Sequence, residues 1–254
     1  MKDRYSNCSV NEKYVLEYIR QTILGSDLQL KDYQYEGAPQ SLYFYKHIQN
    51  SNVFLSIGHK RLYPDEIFTA GFNTNVSIIE VESILNNLTE KHLNPVFDIT
   101  KKFSSTISFN KHTVTDFDEV WGSFKKYRDV DLVTNPDVLD ALCNHYIEVI
   151  GKHFIPFWEK YSDLQYINDE IIDKVDQMQL SKYFGAGLVQ FKKLIIMKLC
   201  NNKNYHNYLD WLLNIYITKE EIMKNDEAWQ AKYNLFKELI QILENKKLIN
   251  QNKY

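Results

Sequence analysis

The sequence predicts an α+β protein: an N-terminal antiparallel β-meander with flanking helices, followed by an all-helical C-terminal part of αα-hairpins. Three observations carry this. Residues 41–72 hold the β-rich runs SLYFYKHI, NVFLSIGH and EIFTAGF, with turn residues QNSN around the first junction. From about residue 116 the apolar spacing becomes helical and stays so. Farther on, LVQFKKLIIMKLC and YHNYLDWLLNIY flank a polar NNKN turn, the pattern of a helical hairpin. No Pro-, Gly- or Ser-rich linker divides the chain. The best boundary is RDVDLVTN at 128–135, giving an α+β domain over 1–130 and a helical domain over 131–254.

Taken in order, residues 11–24 place Val15, Leu16, Ile19 and Ile23 on one helical face, and Gly25 stops the helix. In the first β run Leu42, Phe44 and Ile48 share one face, while Tyr43, Tyr45 and His47 share the other. Val53, Leu55 and Ile57 share a face of the second run, and 66–72 extends the sheet. Ser77 and Glu80 then read as an S-x-x-E capping box opening a helix with Ile78, Val81, Leu85 and Leu88 on one side. FSSTISFN at 103–110 alternates as a later strand.

The helical part starts with a D-x-x-E cap, Asp116 to Glu119, on a short helix. Asn135, Pro136 and Asp137 supply cap, fixed φ and first-turn acid for a helix stacking Leu139, Leu142, Tyr146, Val149, Ile150 and His153. Pro156 cannot donate to the carbonyl of Lys152, so that helix ends or kinks there. Ser162 and Gln165 form an S-x-x-Q box for the next helix, with Tyr161 and Tyr166 as its hydrophobic staple. Leu164, Ile167, Ile171 and Val175 form its buried stripe, and Phe154, Phe157 and Trp158 fill the elbow between the two helices. Thr218 and Glu221 cap a final amphipathic helix carrying Trp229, Tyr233, Phe236, Ile240 and Leu243; the polar end from 245 is frayed.

Hydrophobic residues at 44% and charged ones at 25% fit a soluble globular chain with a sizeable core. A net charge of −3 provides no basic field to attract nucleic acid. The 14% of aromatics, alongside many Asn, Lys and Ile, reads as the usage of an AT-rich bacterial genome rather than as function. Cys8, Cys143 and Cys200 form no CxxC pair or disulfide framework, which suggests a reducing compartment. The N-terminus lacks the apolar core of a signal peptide, and no apolar run is long enough to span a bilayer. The expectation is a cytoplasmic protein with neither a membrane nor a nucleic-acid partner.

Few residues suggest chemistry. Asp116, Asp118 and Glu119 could hold a divalent metal or divide acid and base roles, but they also suit a helix start. Cys143 and His145 stand two apart on one helix and so point in different directions. His145 and His153 are roughly 12 Å apart along the axis, too far to share one zinc. FGAG at 184–187 precedes a helix, as a phosphate loop would, yet no strand run leads into it; a plain loop fits better. Tyr43, Tyr45 and His47 form a strand face that either binds a partner or is covered by the chain's own helix. No cofactor or metal is expected.

The succession of a leading helix, LYFYK and VFLSIG, VESIL and then a helical half containing PFWEKYSDL resembles a loosely defined group of uncharacterised bacterial α+β proteins. Some of these are encoded among polymorphic-toxin immunity genes. The resemblance implies a cytoplasmic protein that binds and neutralises a partner, such as a toxin encoded nearby, and it carries no catalytic residue. The expected function is therefore non-catalytic protein binding of immunity or antitoxin type, through Tyr43, Tyr45 and His47. The alternative is a metal-dependent hydrolase or nuclease using Asp116, Asp118 and Glu119.

Overall fold

Ser9 and Glu12 form a reciprocal capping box, which starts helix α1 (Val10–Leu24) one residue before the predicted range 11–24. In the computed structural model, which describes residues 9–33, 41–60, 66–93, 105–185 and 188–245, this helix leads into an α+β arrangement. A five-stranded antiparallel sheet runs in the order β1 (Lys31–Tyr33), β2 (Ser41–Ile48), β3 (Ser51–Lys60), β4 (Phe68–Ile78), β5 (Ile107–Ser108). The expected fold class is therefore present. The other helices are α2 (Ile79–His92), α3 (Phe117–Ser123), α4 (Pro136–Val149), α5 (Ile155–Tyr161), α6 (Leu164–Ile167), α7 (Val189–Leu199), α8 (Tyr205–Met223) and α9 (Glu227–Glu244). The chain forms two compact units, each discontinuous in sequence: Met1–Val76 with Ser108–Lys160, and Ser77–Ile107 with Tyr161–Tyr254. Residue 130, where the sequence suggests a boundary, lies inside the first unit.

In the first unit the β2–β3 hairpin pairs from Ser41↔Gly58 to Ile48↔Ser51, so its turn is only Gln49 and Asn50, with Gln49 at φ 51°. The pairing sends Leu42, Phe44, Val53, Leu55 and Ile57 into the core. Strand β4 is longer than EIFTAGF suggests, and it changes parity. Thr69 and Thr74 have opposite parity, yet both bond to the same helical rod. Gly71, at φ 112°, absorbs the shift in the way a β-bulge does. A Cβ there would also lie 2.8 Å from the Trp121 ring.

That rod is α4, a π-helical turn over Ile150–Phe154, and α5. Of the end or kink expected at Pro156, the end is not found: the helix runs on through the π-turn. Ile155 N–H bonds the carbonyl of Ile150, five residues back, and the wider turn accommodates the proline without stopping the helix. Phe154, Phe157 and Trp158 therefore sit along a continuous helix, and all three are buried. The hydroxyls of Tyr146 and Thr69 share a 2.7 Å hydrogen bond, and Trp158 Nε1–H donates to Thr74 Oγ1 at 2.8 Å. Thr74 passes its own proton to the carbonyl of Phe54 on β3. Phe72 and Phe109 complete the layer, with ring centroids 4.9 and 5.0 Å from that of Phe154.

The second unit holds the predicted hairpin of α7 and α8, with Asn201 at φ 52° in its turn. Its aromatic core stacks Phe191 on Phe236 at 5.5 Å and places Tyr216 4.3 Å from Phe236. A buried ion pair, Lys192 Nζ to Glu82 Oε1 at 3.0 Å, joins α7 to α2, and Lys192 also donates to the carbonyl of Ser105. A second π-turn, Asn168–Ile172, turns Asn168, Ile171 and Ile172 inward, so Val175 is only half-buried. Of the expected strand at 103–110 only Ile107–Ser108 forms; residues 103 and 104 lie outside the described residues, as do those from 246.

The other predicted capping boxes are not made, each for a physical reason. Ser77 stays in β4, and Ile78 N–H is met instead by Thr106 Oγ1 at 2.9 Å, which itself donates to Glu82. Thr218 is interior to α8, since nothing before it breaks the helix; Asp226 caps α9 by accepting from Trp229 N–H. Asp163 caps α6, while Ser162 is buried and its hydroxyl has no hydrogen-bond partner among the described residues. The Tyr161–Tyr166 contact nevertheless forms, edge-on at 5.6 Å. Asn135 precedes α4 as expected but spends its side-chain amide on the carbonyl of Asp131. In α9, Leu235 and Leu239 lie deeper than Tyr233 and Ile240.

Trp158→Ala is expected to cost about 3–5 kcal/mol in urea unfolding, and Thr74→Val, which leaves the indole N–H unmet, about 1–3 kcal/mol. Gly71→Ala should destabilise by at least about 1 kcal/mol, because an L side chain is strained at that φ and meets Trp121.

Candidate functional site

Alternation along β2 turns Tyr43, Tyr45 and His47 to the face opposite Leu42 and Phe44. The register then builds rows on that face: Tyr33–Tyr43–Ser56, Lys31–Tyr45–Phe54 and His47–Asn52. Tyr43 and Tyr45 are half-buried and His47 is exposed, with its Nδ1 3.4 Å from Asn52 Oδ1. The three residues named from the sequence thus form one patch of two aromatic rings and an imidazole on a paired hairpin. Lys31 stands directly beside Tyr45, a neighbour that the sequence pattern did not reveal.

The acidic cluster is not assembled as a ligand set. Asp116 has φ −97° and ψ 16°, outside the extended region that an N-cap needs, and it makes no cap bond. Its Oδ2 instead lies 2.7 Å from His153 Nδ1 on the π-turn. Asp118 and Glu119 are exposed on the first turn of α3. Among the described residues no three His, Cys, Asp or Glu side chains gather as they would around a metal ion. No local pattern announces the Asp116–His153 pair, because its members are distant in sequence.

Cys143 and His145 diverge as their spacing predicts. Burial pushes the Cys143 thiol up to about 12, against a hydrogen bond with Thr22, which disfavours the thiolate there. Burial likewise raises Cys200 to about 12, and its Sγ rests 3.5 Å from the carbonyl of Leu164. Cys8 lies outside the described residues. On the other side of α4, His145 Nε2 is 2.7 Å from Ser123 Oγ, and its Nδ1 is 4.0 Å from Glu148. This resembles a nucleophile–base–acid line, but Ser123 Oγ is also 2.7 Å from the carbonyl of Val120, which can only accept. Both contacts are satisfied when Ser123 donates to Val120 and the Nε2–H of His145 donates to Ser123. The imidazole in that arrangement cannot take the serine proton, so it is a packing group between Phe124 and Tyr127.

In the FGAG stretch, Gly185 lies where a Cβ would come within 2.5 Å of Ser105, and its N–H bonds the carbonyl of Thr106. That glycine serves close backbone approach; Ala186 and Gly187 lie outside the described residues. Among the described residues no helix is long and apolar enough to cross a membrane.

Burial, and then the charge of Lys126, hold the His145 pKa below its ordinary 6.5, with Glu148 opposing. The folded state therefore binds fewer protons than the unfolded one near that pH. The stability this contributes is present above the ordinary histidine pKa and is lost as pH falls toward the folded value. Thermal midpoints between about pH 7 and 5 should fall less steeply in His145→Gln than in the parent chain. No family model matches this sequence, and no curated protein or solved structure matches it significantly.

Proposed function

We propose that this chain works without catalysis, by binding another protein in the cytoplasm, as an immunity- or antitoxin-like protein neutralises its partner. The observation that carries this reading is the outer face of the β2–β3 hairpin, where Tyr43, Tyr45 and His47 stand together. Tyrosine rings offer large contact area with a polar tip at low entropic cost, and a paired hairpin holds them in place before binding. The state of the other reactive groups supports the same view. The thiols of Cys143 and Cys200 are raised by burial, Ser123 is engaged, and Asp116 is paired with His153.

The test is co-purification with the product of the adjacent gene, followed by calorimetry. Tyr43→Ala and Tyr45→Ala should each weaken binding by about tenfold or more, with the variants still folded. Retained affinity in the double variant would remove this face from the proposal. A metal-dependent hydrolytic activity that disappears in Asp118→Ala would replace binding with the hydrolase alternative.

A further inference from the structure

The face of the sheet that carries Tyr43, Tyr45 and His47 extends beyond the β2–β3 hairpin. A Cβ on Gly58 would lie 3.5 Å from that of Ala70, Ser56 Oγ is 3.4 Å from the carbonyl of Asn73, and Lys60 Nζ stands 5.9 Å from the centre of the Phe68 ring. These contacts continue the rows of that face onto β4. Because Ser41 pairs with Gly58, a row of small residues (Ser41, Gly58 and Ala70) crosses three strands. Larger side chains border it one step along the strands: Tyr33 and Tyr43 on one side, Phe68 and Lys60 on the other. The result is a shallow trough with Ala70 and Asn73 exposed on it.

The charge of this face has one sign. Lys31 and Lys60 are exposed on it, and the strands β1 to β4 hold a single acid, Asp32. Asp32 pairs with Phe44 and so belongs to the core face, where Arg20 of α1 donates to it at 2.9 Å. Glu66, just before β4, is half-buried and pairs with neither lysine. Among the described residues no carboxylate is in ion-pair contact with Lys31 or Lys60. An incoming segment therefore meets aromatic borders, a floor of small side chains and positive charge at two corners, for which acidic side chains are the complement. Lys31 and Lys60 stand three two-residue steps apart along the strands, about 20 Å, which about six extended residues can span. Nucleic acid suits the face less well, because β1 to β4 hold no arginine and a net charge of −3 supplies no long-range attraction.

We infer that the partner protein lays an acidic, extended segment across this trough, with small side chains over Ser41, Gly58 and Ala70 and carboxylates at Lys31 and Lys60. The inference rests on the reading of Tyr43, Tyr45 and His47 as a binding face. It adds the charge and conformation of the partner and carries the surface across to β4.

The probe is a labelled peptide, Glu-Gly-Glu-Tyr-Glu-Gly-Glu, compared with its glutamine counterpart by fluorescence anisotropy on the full chain. The glutamate peptide is expected to bind saturably and to weaken as salt is added. Lys31→Gln or Lys60→Gln should weaken it about tenfold, and Ala70→Tyr, which fills the floor, should block it. All three positions are exposed, so melting temperatures should match the parent's; the lysine variants carry the test if Ala70→Tyr is unstable. Equal binding of the two peptides, or lysine variants that bind like the parent, would overturn the inference. If Tyr45→Ala still weakens binding in that case, the face remains a binding surface and only its acidic partner is lost. If Tyr45→Ala has no effect either, the reading on which the inference rests falls with it. No binding up to about 1 mM peptide would also overturn the inference, and so would displacement of the peptide by a short single-stranded oligonucleotide at equal concentration.

Discussion

A buried indole must find an acceptor for its N–H, and in this protein the search has a single outcome. Trp158 is fully buried, and Thr74 Oγ1 receives its proton and hands its own to the carbonyl of Phe54. That relay fixes α5 to β4 and β4 to β3. It works only because Gly71 changes the parity of β4, so that Thr69 can meet Tyr146 while Thr74 meets Trp158. It also requires the rod to continue past Pro156, which the π-turn allows. Tryptophan, threonine, glycine and proline are thus parts of one constraint, although each reads as an ordinary residue in its own stretch.

The second unit depends on a polar arrangement instead. Lys192 and Glu82 are both buried, and a pair in that position is tolerable only when its remaining hydrogen-bonding capacity is met. The carbonyl of Ser105 takes one proton of Lys192, and Thr106 donates to Glu82 while accepting from Ile78 N–H. Gly185 allows the close backbone approach that holds the Ser105–Thr106 segment there. At the far end of α2, Lys91 and His92 both engage Glu238 of α9, and their hydrogen bonds hold its carboxyl below the ordinary range.

Asp116, His153, His145 and Ser123 have partners that account for them, and burial raises the thiols of Cys143 and Cys200. The Tyr43–Tyr45–His47 face is set on a paired hairpin, turned away from Leu42 and Phe44.

The sequence alone determined what depends on neighbours within a few residues. Alternation in 41–60 determined which side chains of the hairpin enter the core and which form the candidate face, because successive side chains on a strand must point oppositely. Helical spacing likewise placed α1, α4 and the α7–α8 hairpin. Tertiary structure decided the helix starts, since Thr106 could replace the Ser77 box from far along the chain and His153 could draw Asp116 away from its own helix. It decided the course of the chain at Pro156, where packing of Phe154, Phe157 and Trp158 makes a widened helix more favourable than a broken one. Local patterns report the preferences of single segments; a cap or a parity change is settled by which distant group arrives to satisfy it.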